Sequence, residues 1–142
     1  MLVKRLRKPR PTKVDSLIGR HSRVLGEFRF SEGLHIDGLI KGDVVSDVGA
    51  LATLTLSESG TVEGHVRVPF VIISGVVRGD VYADDYVELG PTARIEGDVY
   101  YGLIEMAMGA EVNGKLVRII ESIETNTLDS SNSPLENRVE KV

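Results

Sequence analysis

The chain has 142 residues, 42% hydrophobic and 27% charged, with no cysteine and a formal net charge of −4. That suffices for one ordinary globular domain, and excludes disulfide stapling and thiolate metal sites. No apolar run approaches the roughly 20 residues that span a bilayer; no apolar stretch follows the basic N-terminus as a signal peptide requires, so a cytoplasmic protein is expected.

Charge is unevenly placed. Six basic side chains and one acid give residues 1–16 a charge of +5, and five acids against two bases give residues 121–142 a charge of −3, which leaves −6 for residues 17–120. The head, 1–16, has Pro9 and Pro11 in a Lys8-Pro9-Arg10-Pro11 run that favours extended backbone, and no periodic apolar face. It reads as disordered on its own. Met1, Leu2, Val3, Lys4, Arg5 and Leu6 interleave aliphatic with basic residues. Basic residues near an anionic leaflet contribute on the order of 1 kcal/mol each, so this segment is either a solvated basic tail or a peripheral anchor on an anionic membrane surface. It has no aromatic side chain for base stacking, and no nucleic-acid partner is expected.

From residue 17 to 120 one phrase recurs six times: apolar, variable, Gly, variable, apolar. Its glycines are Gly26, Gly42, Gly64, Gly79, Gly97 and Gly114, stepping by 16, 22, 15, 18 and 17 residues. A period in this range with alternating rather than helical apolar spacing indicates a solenoid of short strands, a β-helix. Each coil from the second has an apolar pair before the phrase: Leu34/Ile36, Leu54/Leu56, Val71/Ile73, Val87/Leu89 and Ile104/Met106. In the third, fifth and sixth coils two extra residues separate pair from glycine, within Ser57-Glu58-Ser59-Gly60, Gly90-Pro91-Thr92-Ala93 and Ala107-Met108-Gly109-Ala110, which is corner chemistry. Val45 to Leu51 reads as a lengthened corner. A third strand follows the phrase at Phe28-Arg29-Phe30, Val66-Arg67-Val68, Val81-Tyr82-Ala83 and Val99-Tyr100-Tyr101. Three strands per coil make a three-sided, all-β prism of about six coils. The repeat glycines fit either a narrow interior or a corner with positive φ.

Two outward columns follow from stacking. The residues before the glycine, from Lys41 through Glu63 and Arg78 to Glu96, alternate in sign and would specify register. Those after it, Glu27, Asp43, His65, Asp80, Asp98 and Lys115, are mostly acidic and read as a mild liability that solvation must relieve. The last residues, 121–142, are polar, contain Pro134 and show no apolar period; they read as a disordered tail.

Little points to chemistry. His21, His35 and His65 are dispersed and read as surface polar groups, and neither a calcium-binding Gly-Gly-x-Gly-x-Asp repeat nor a phosphate-cradling Gly-Lys-Ser/Thr occurs. No cofactor or metal is expected. Tyr82, Tyr86, Tyr100 and Tyr101 form an aromatic cluster, read as an exposed ladder or interface patch. Spacings of six (Leu56, Val62, Val68; Leu89, Ile95, Tyr101) match hexapeptide acyltransferases, which form trimers, but the hexads do not persist. A monomeric solenoid adaptor is the third reading. A β-helix exposes unpaired backbone and open core at both ends unless a cap covers them, and neither terminus offers an evident one. The first coil presents Phe28 and Phe30 and the last Leu116, Val117, Ile119 and Ile120, so end-to-end pairing of copies through these residues is expected, without polarity if each end pairs with its own kind.

The Gly42-Asp43-Val44, Gly79-Asp80-Val81 and Gly97-Asp98-Val99 phrases, with the run from Val87 to Val99, resemble the bactofilins over residues 17–120. The resemblance implies a single-domain, right-handed, three-sided β-helix between disordered termini. It further implies a non-enzymatic bacterial cytoskeletal scaffold that polymerises without nucleotide into non-polar filaments. Members are often peripheral on the inner face of the cytoplasmic membrane and serve cell shape, polarity or the placing of cell-wall enzymes. Carried over, Met1 to Leu6 is the membrane segment and the first and last coils are the polymer contacts.

Overall fold

The computed structural model describes residues 14–120 and 139–141. The head as far as residue 13, including the membrane segment expected at Met1 to Leu6, lies outside the described residues, as do residues 121–138 and 142 of the tail.

Short strands wind into six coils of three. The first holds β1 (Ser16–Ile18), β2 (Arg23–Leu25) and β3 (Phe28–Phe30), and the second β4 (Gly33–Ile36), β5 (Leu39–Lys41) and β6 (Val44–Ser46). The third holds β7 (Thr53–Leu56), β8 (Thr61–Glu63) and β9 (Val66–Arg67), and the fourth β10 (Phe70–Ile73), β11 (Val76–Arg78) and β12 (Val81–Ala83). The fifth holds β13 (Tyr86–Leu89), β14 (Arg94–Glu96) and β15 (Val99–Tyr101), and the sixth β16 (Ile104–Met106), β17 (Glu111–Val112) and β18 (Leu116–Ile119). Equivalent strands pair in parallel up the stack, giving three sheets, β1-β4-β7-β10-β13-β16, β2-β5-β8-β11-β14-β17 and β3-β6-β9-β12-β15-β18. One further strand, β19 (Val139–Lys141), joins the third sheet antiparallel to β18. The tail therefore contributes a strand where its sequence suggested none.

Alternation dictates which side chains meet. On the second sheet Val24, Ile40, Val62, Val77, Ile95 and Val112 stack in register, and on the third Phe28, Val44, Val66, Val81, Val99 and Leu116. With the paired columns of the first sheet they fill the prism, and in the middle coils Ile40, Leu54, Val62, Val77, Val87 and Ile95 have no solvent exposure. Fully burying side chains of this kind is worth about 1.5–3 kcal/mol each.

Corner length explains the two spacing classes. Between the first and second sheets the chain turns in two residues at Asp37-Gly38 and Ser74-Gly75, and in four at 57–60, 90–93 and 107–110, the long turns closing with Gly60 N–H to Ser57 O, Ala93 N–H to Gly90 O and Ala110 N–H to Ala107 O. The first coil has such a turn as well, at 19–22, which its sequence did not announce. The lengthened corner is shorter than expected, because Val44–Ser46 is a strand and the loop begins at Asp47.

The repeat glycines occupy the corner between the second and third sheets. From Gly42 onward, a Cβ on any of the five would overlap the carbonyl oxygen of the glycine one coil earlier. Coils follow at a strand spacing of about 4.8 Å, and at this corner backbone sits on backbone with no room for a side chain. Gly26 begins the column with open space around it, but at a φ of 122° that favours glycine. Gly79→Ala should therefore lower stability by about 1–3 kcal/mol in urea denaturation, and Gly26→Ala by less, since only backbone strain opposes it. Equal losses would contradict a close-packed corner.

Candidate functional site

The glycine column is bordered by a second one. Asp43 Oδ1 accepts the backbone N–H of His65 at 2.9 Å, Asp80 Oδ1 that of Asp98 at 2.8 Å, and Asp98 Oδ1 that of Lys115 at 2.9 Å. His65 takes the aspartate's part in its own coil, its Nδ1 accepting the N–H of Asp80 at 3.0 Å. The column expected to be a repulsive liability is a ladder of acceptors instead. Each satisfies a backbone donor in the next coil, at a corner where the regular sheet ladder is interrupted. The glycine makes this possible. Asp80 Oδ1 lies 2.8 Å from where a Cβ of Gly97 would sit, and Asp98 Oδ1 lies at the same distance from that of Gly114.

In the column before the glycine, Arg78 pairs as the alternating signs suggest. Arg78 bridges Glu63 one coil earlier at 3.3 Å and Glu96 one coil later at 3.4 Å. These pairs are about half exposed and worth roughly 0.2–1 kcal/mol each; they hold register more than they stabilise.

The tyrosines divide. Tyr82 and Tyr100 stack on the outer face of the third sheet with centroids 4.6 Å apart and planes 2° from parallel, and the Arg67 guanidinium lies 4.2 Å from the Tyr82 centroid. Burial in this stack, with Asp80 close by, raises the Tyr82 pKa. Tyr86 and Tyr101 are buried instead. The Tyr86 hydroxyl, shared between Glu88 Oε1 at 3.0 Å and Glu105 Oε1 at 2.6 Å, is held in its neutral form first by burial and then by those hydrogen bonds. The expected four-tyrosine surface patch is thus a two-ring ladder.

His35 pairs with Asp37 at 2.9 Å. Hydrogen bonds from Ser57 and then His35 outweigh desolvation there and lower the Asp37 pKa. Among the described residues no group of three or more His, Asp or Glu side chains is placed to hold a metal ion, and no helix is long and apolar enough to cross a membrane.

The residues proposed for polymer contacts fall at opposite ends of one sheet. Phe28 and Phe30 lie on β3 and Leu116, Val117 and Ile119 on β18, five strand spacings or about 24 Å apart, with Ile120 following β18. Phe28 and Leu116 continue the inward columns and are only partly covered, whereas Phe30 is buried over Ser46. Arg118 falls in register with buried Tyr101, so the final inward position of that column is a cation. Among the described residues β1, β2 and β3 at one end, and β16 and β17 at the other, have a neighbouring strand on one side only. Leu17 and Leu25 in the first coil and Met106 and Met108 in the last are exposed.

A model of the bactofilin family, described as polymer-forming cytoskeletal, matches residues 16–117. The curated Bactofilin BacO of Myxococcus xanthus is 32% identical over 102 residues, which are 72% of this chain and 78% of that protein. Bactofilin BacP of the same organism is 28% identical over 102 residues, 72% of this chain but only 41% of the relative. No solved structure matches.

The acceptor ladder separates two substitutions. Asp98→Ala should cost about 1 kcal/mol in thermal or urea unfolding, and Asp98→Asn, which keeps an acceptor oxygen, should restore most of it. A repulsive acidic column predicts that both changes stabilise.

Proposed function

The chain belongs to the bactofilin family, and we propose that it is a non-enzymatic scaffold that assembles end to end, without nucleotide, into filaments lacking polarity. The observation that carries this reading is that, among the described residues, five strands of the first and last coils have a neighbour on one side only. Edge strands β1, β2 and β3 present backbone donors and acceptors in the same plane as the partly covered apolar columns ending at Val24 and Phe28. At the far end β16 and β17 do the same beside Ile104 and Val112. Another copy of the same edge supplies both the hydrogen bonds and the apolar cover. The driving force is burial and edge pairing, neither of which needs nucleotide hydrolysis. If like ends meet, each contact is two-fold and polarity is lost.

Met1 to Leu6 would hold such a filament on an anionic membrane surface through Lys4 and Arg5, with Leu2, Val3 and Leu6 entering the interface. On the inner face of the cytoplasmic membrane it would support cell shape or the placing of partner proteins such as cell-wall or polarity factors.

Phe28→Asp and Ile119→Asp should each abolish filaments in negative-stain microscopy while leaving a β-rich circular dichroism spectrum; normal filaments from both would place the contacts elsewhere. Deleting residues 1–8 should release the protein from anionic liposomes in a flotation assay without preventing assembly. Undiminished flotation would refute the anchor.

A further inference from the structure

Among the described residues every strand pair of the three sheets is parallel except that between β18 and β19, where Val117 pairs with Lys141, Arg118 with Glu140 and Ile119 with Val139. A strand has two hydrogen-bonding sides. β15 takes one side of β18 and β19 takes the other, which is the side that a stacking copy would use. The direction also matters. If the C-terminal ends of two copies met about a two-fold axis normal to this sheet, β18 of one would run antiparallel to β18 of the other. β19 therefore holds the orientation that the second copy would bring. Val117 adds an independent observation. It is in register with outward-facing Tyr100 and lies outside the central core cluster, yet it is only 2% exposed. This part of the terminal coil is shielded in the single chain.

We infer that the C-terminal strand is an intramolecular cap, competing with a second copy of the chain for the free edge of β18 and so setting the concentration at which that end assembles. The inference rests on the scaffold reading above. Nineteen residues separate Ile119 from Val139, and belonging to one chain over so short a separation makes the pairing intramolecular, at an effective concentration on the order of millimolar. Three residue pairs make a small contact, while a second copy offers three edges and an apolar core together. The cap thus holds single chains apart at low concentration and yields to a copy when copies are abundant. It acts on the C-terminal end only and does not oppose pairing through the β3 end, so dimers through that end should precede filaments.

The test compares the full chain with a chain ending at residue 138 and with Glu140→Pro, which keeps the tail's length but removes a backbone donor from β19. Pelleting measures the critical concentration, and hydrogen exchange of the Val117–Ile119 amides is followed in dilute protein. If the edge is free in one molecule in ten, both variants should lower the critical concentration about tenfold and speed exchange at β18. An unchanged critical concentration with normal filaments overturns the cap and leaves the scaffold reading intact. Failure of all three proteins to assemble at any concentration overturns the scaffold reading and the control with it.

Discussion

The structure depends on one constraint: at the corner between the second and third sheets, successive coils approach so closely that a backbone carbonyl occupies the place of the next residue's Cβ. Glycine alone fits from Gly42 to Gly114, which sets the period of the chain. Everything else is timed to that corner. Apolar residues two positions either side of the glycine enter the prism, and those immediately beside it point outward. The vacated volume is then used by Asp43, Asp80 and Asp98, whose carboxylates lie over the following glycine to accept a backbone N–H of the next coil. The Gly-Asp-Val phrase is one device: glycine opens the corner, aspartate satisfies it, and valine returns to the core.

A stack built this way has no intrinsic length. Each coil satisfies the one before it and leaves the same requirement for the next, so the first and last coils inherit what no neighbour supplies. The unpartnered edges of β1, β2, β3, β16 and β17 among the described residues follow from the repeat itself. The family's polymer-forming description agrees with that physical expectation, and the two arguments are independent. The ends are not equivalent, however. The last inward position of the third sheet is Arg118, beside the strand contributed by the tail. The first coil has Phe30 there, resting on Ser46.

The coil repeat was legible because glycine spacing and strand alternation are local properties. Leu34/Ile36 through Ile104/Met106 fell on the first sheet, and the phrases on the second and third, because a period of two leaves little choice of face. What was not legible depends on atoms far apart in sequence. The acidic column looked repulsive when read as charges at a given spacing. The recurrence of aspartate directly after glycine was the available sign that it accepts a hydrogen bond, with His65 as the variant that the sign would have missed. Tyr86 and Tyr101 look like Tyr82 and Tyr100 in composition; register with Ala83 sends Tyr101 into the core, while Tyr86, outside the core cluster, is buried where its hydroxyl meets Glu88 and Glu105. The turn at residues 19–22 lacks the preceding apolar pair that marked the other coils, since Ser16 stands where Leu34 and Leu54 do. Three residues of a polar tail carry no period at all, and β19 exists through its pairing with β18.

Diffraction from aligned filaments tests the central claim most directly. Coils that continue from one molecule into the next place the strand spacing of about 4.8 Å along the filament axis, so a meridional reflection at that spacing is predicted. The same reflection on the equator, or particles that never extend beyond single stacks, would contradict end-to-end continuation.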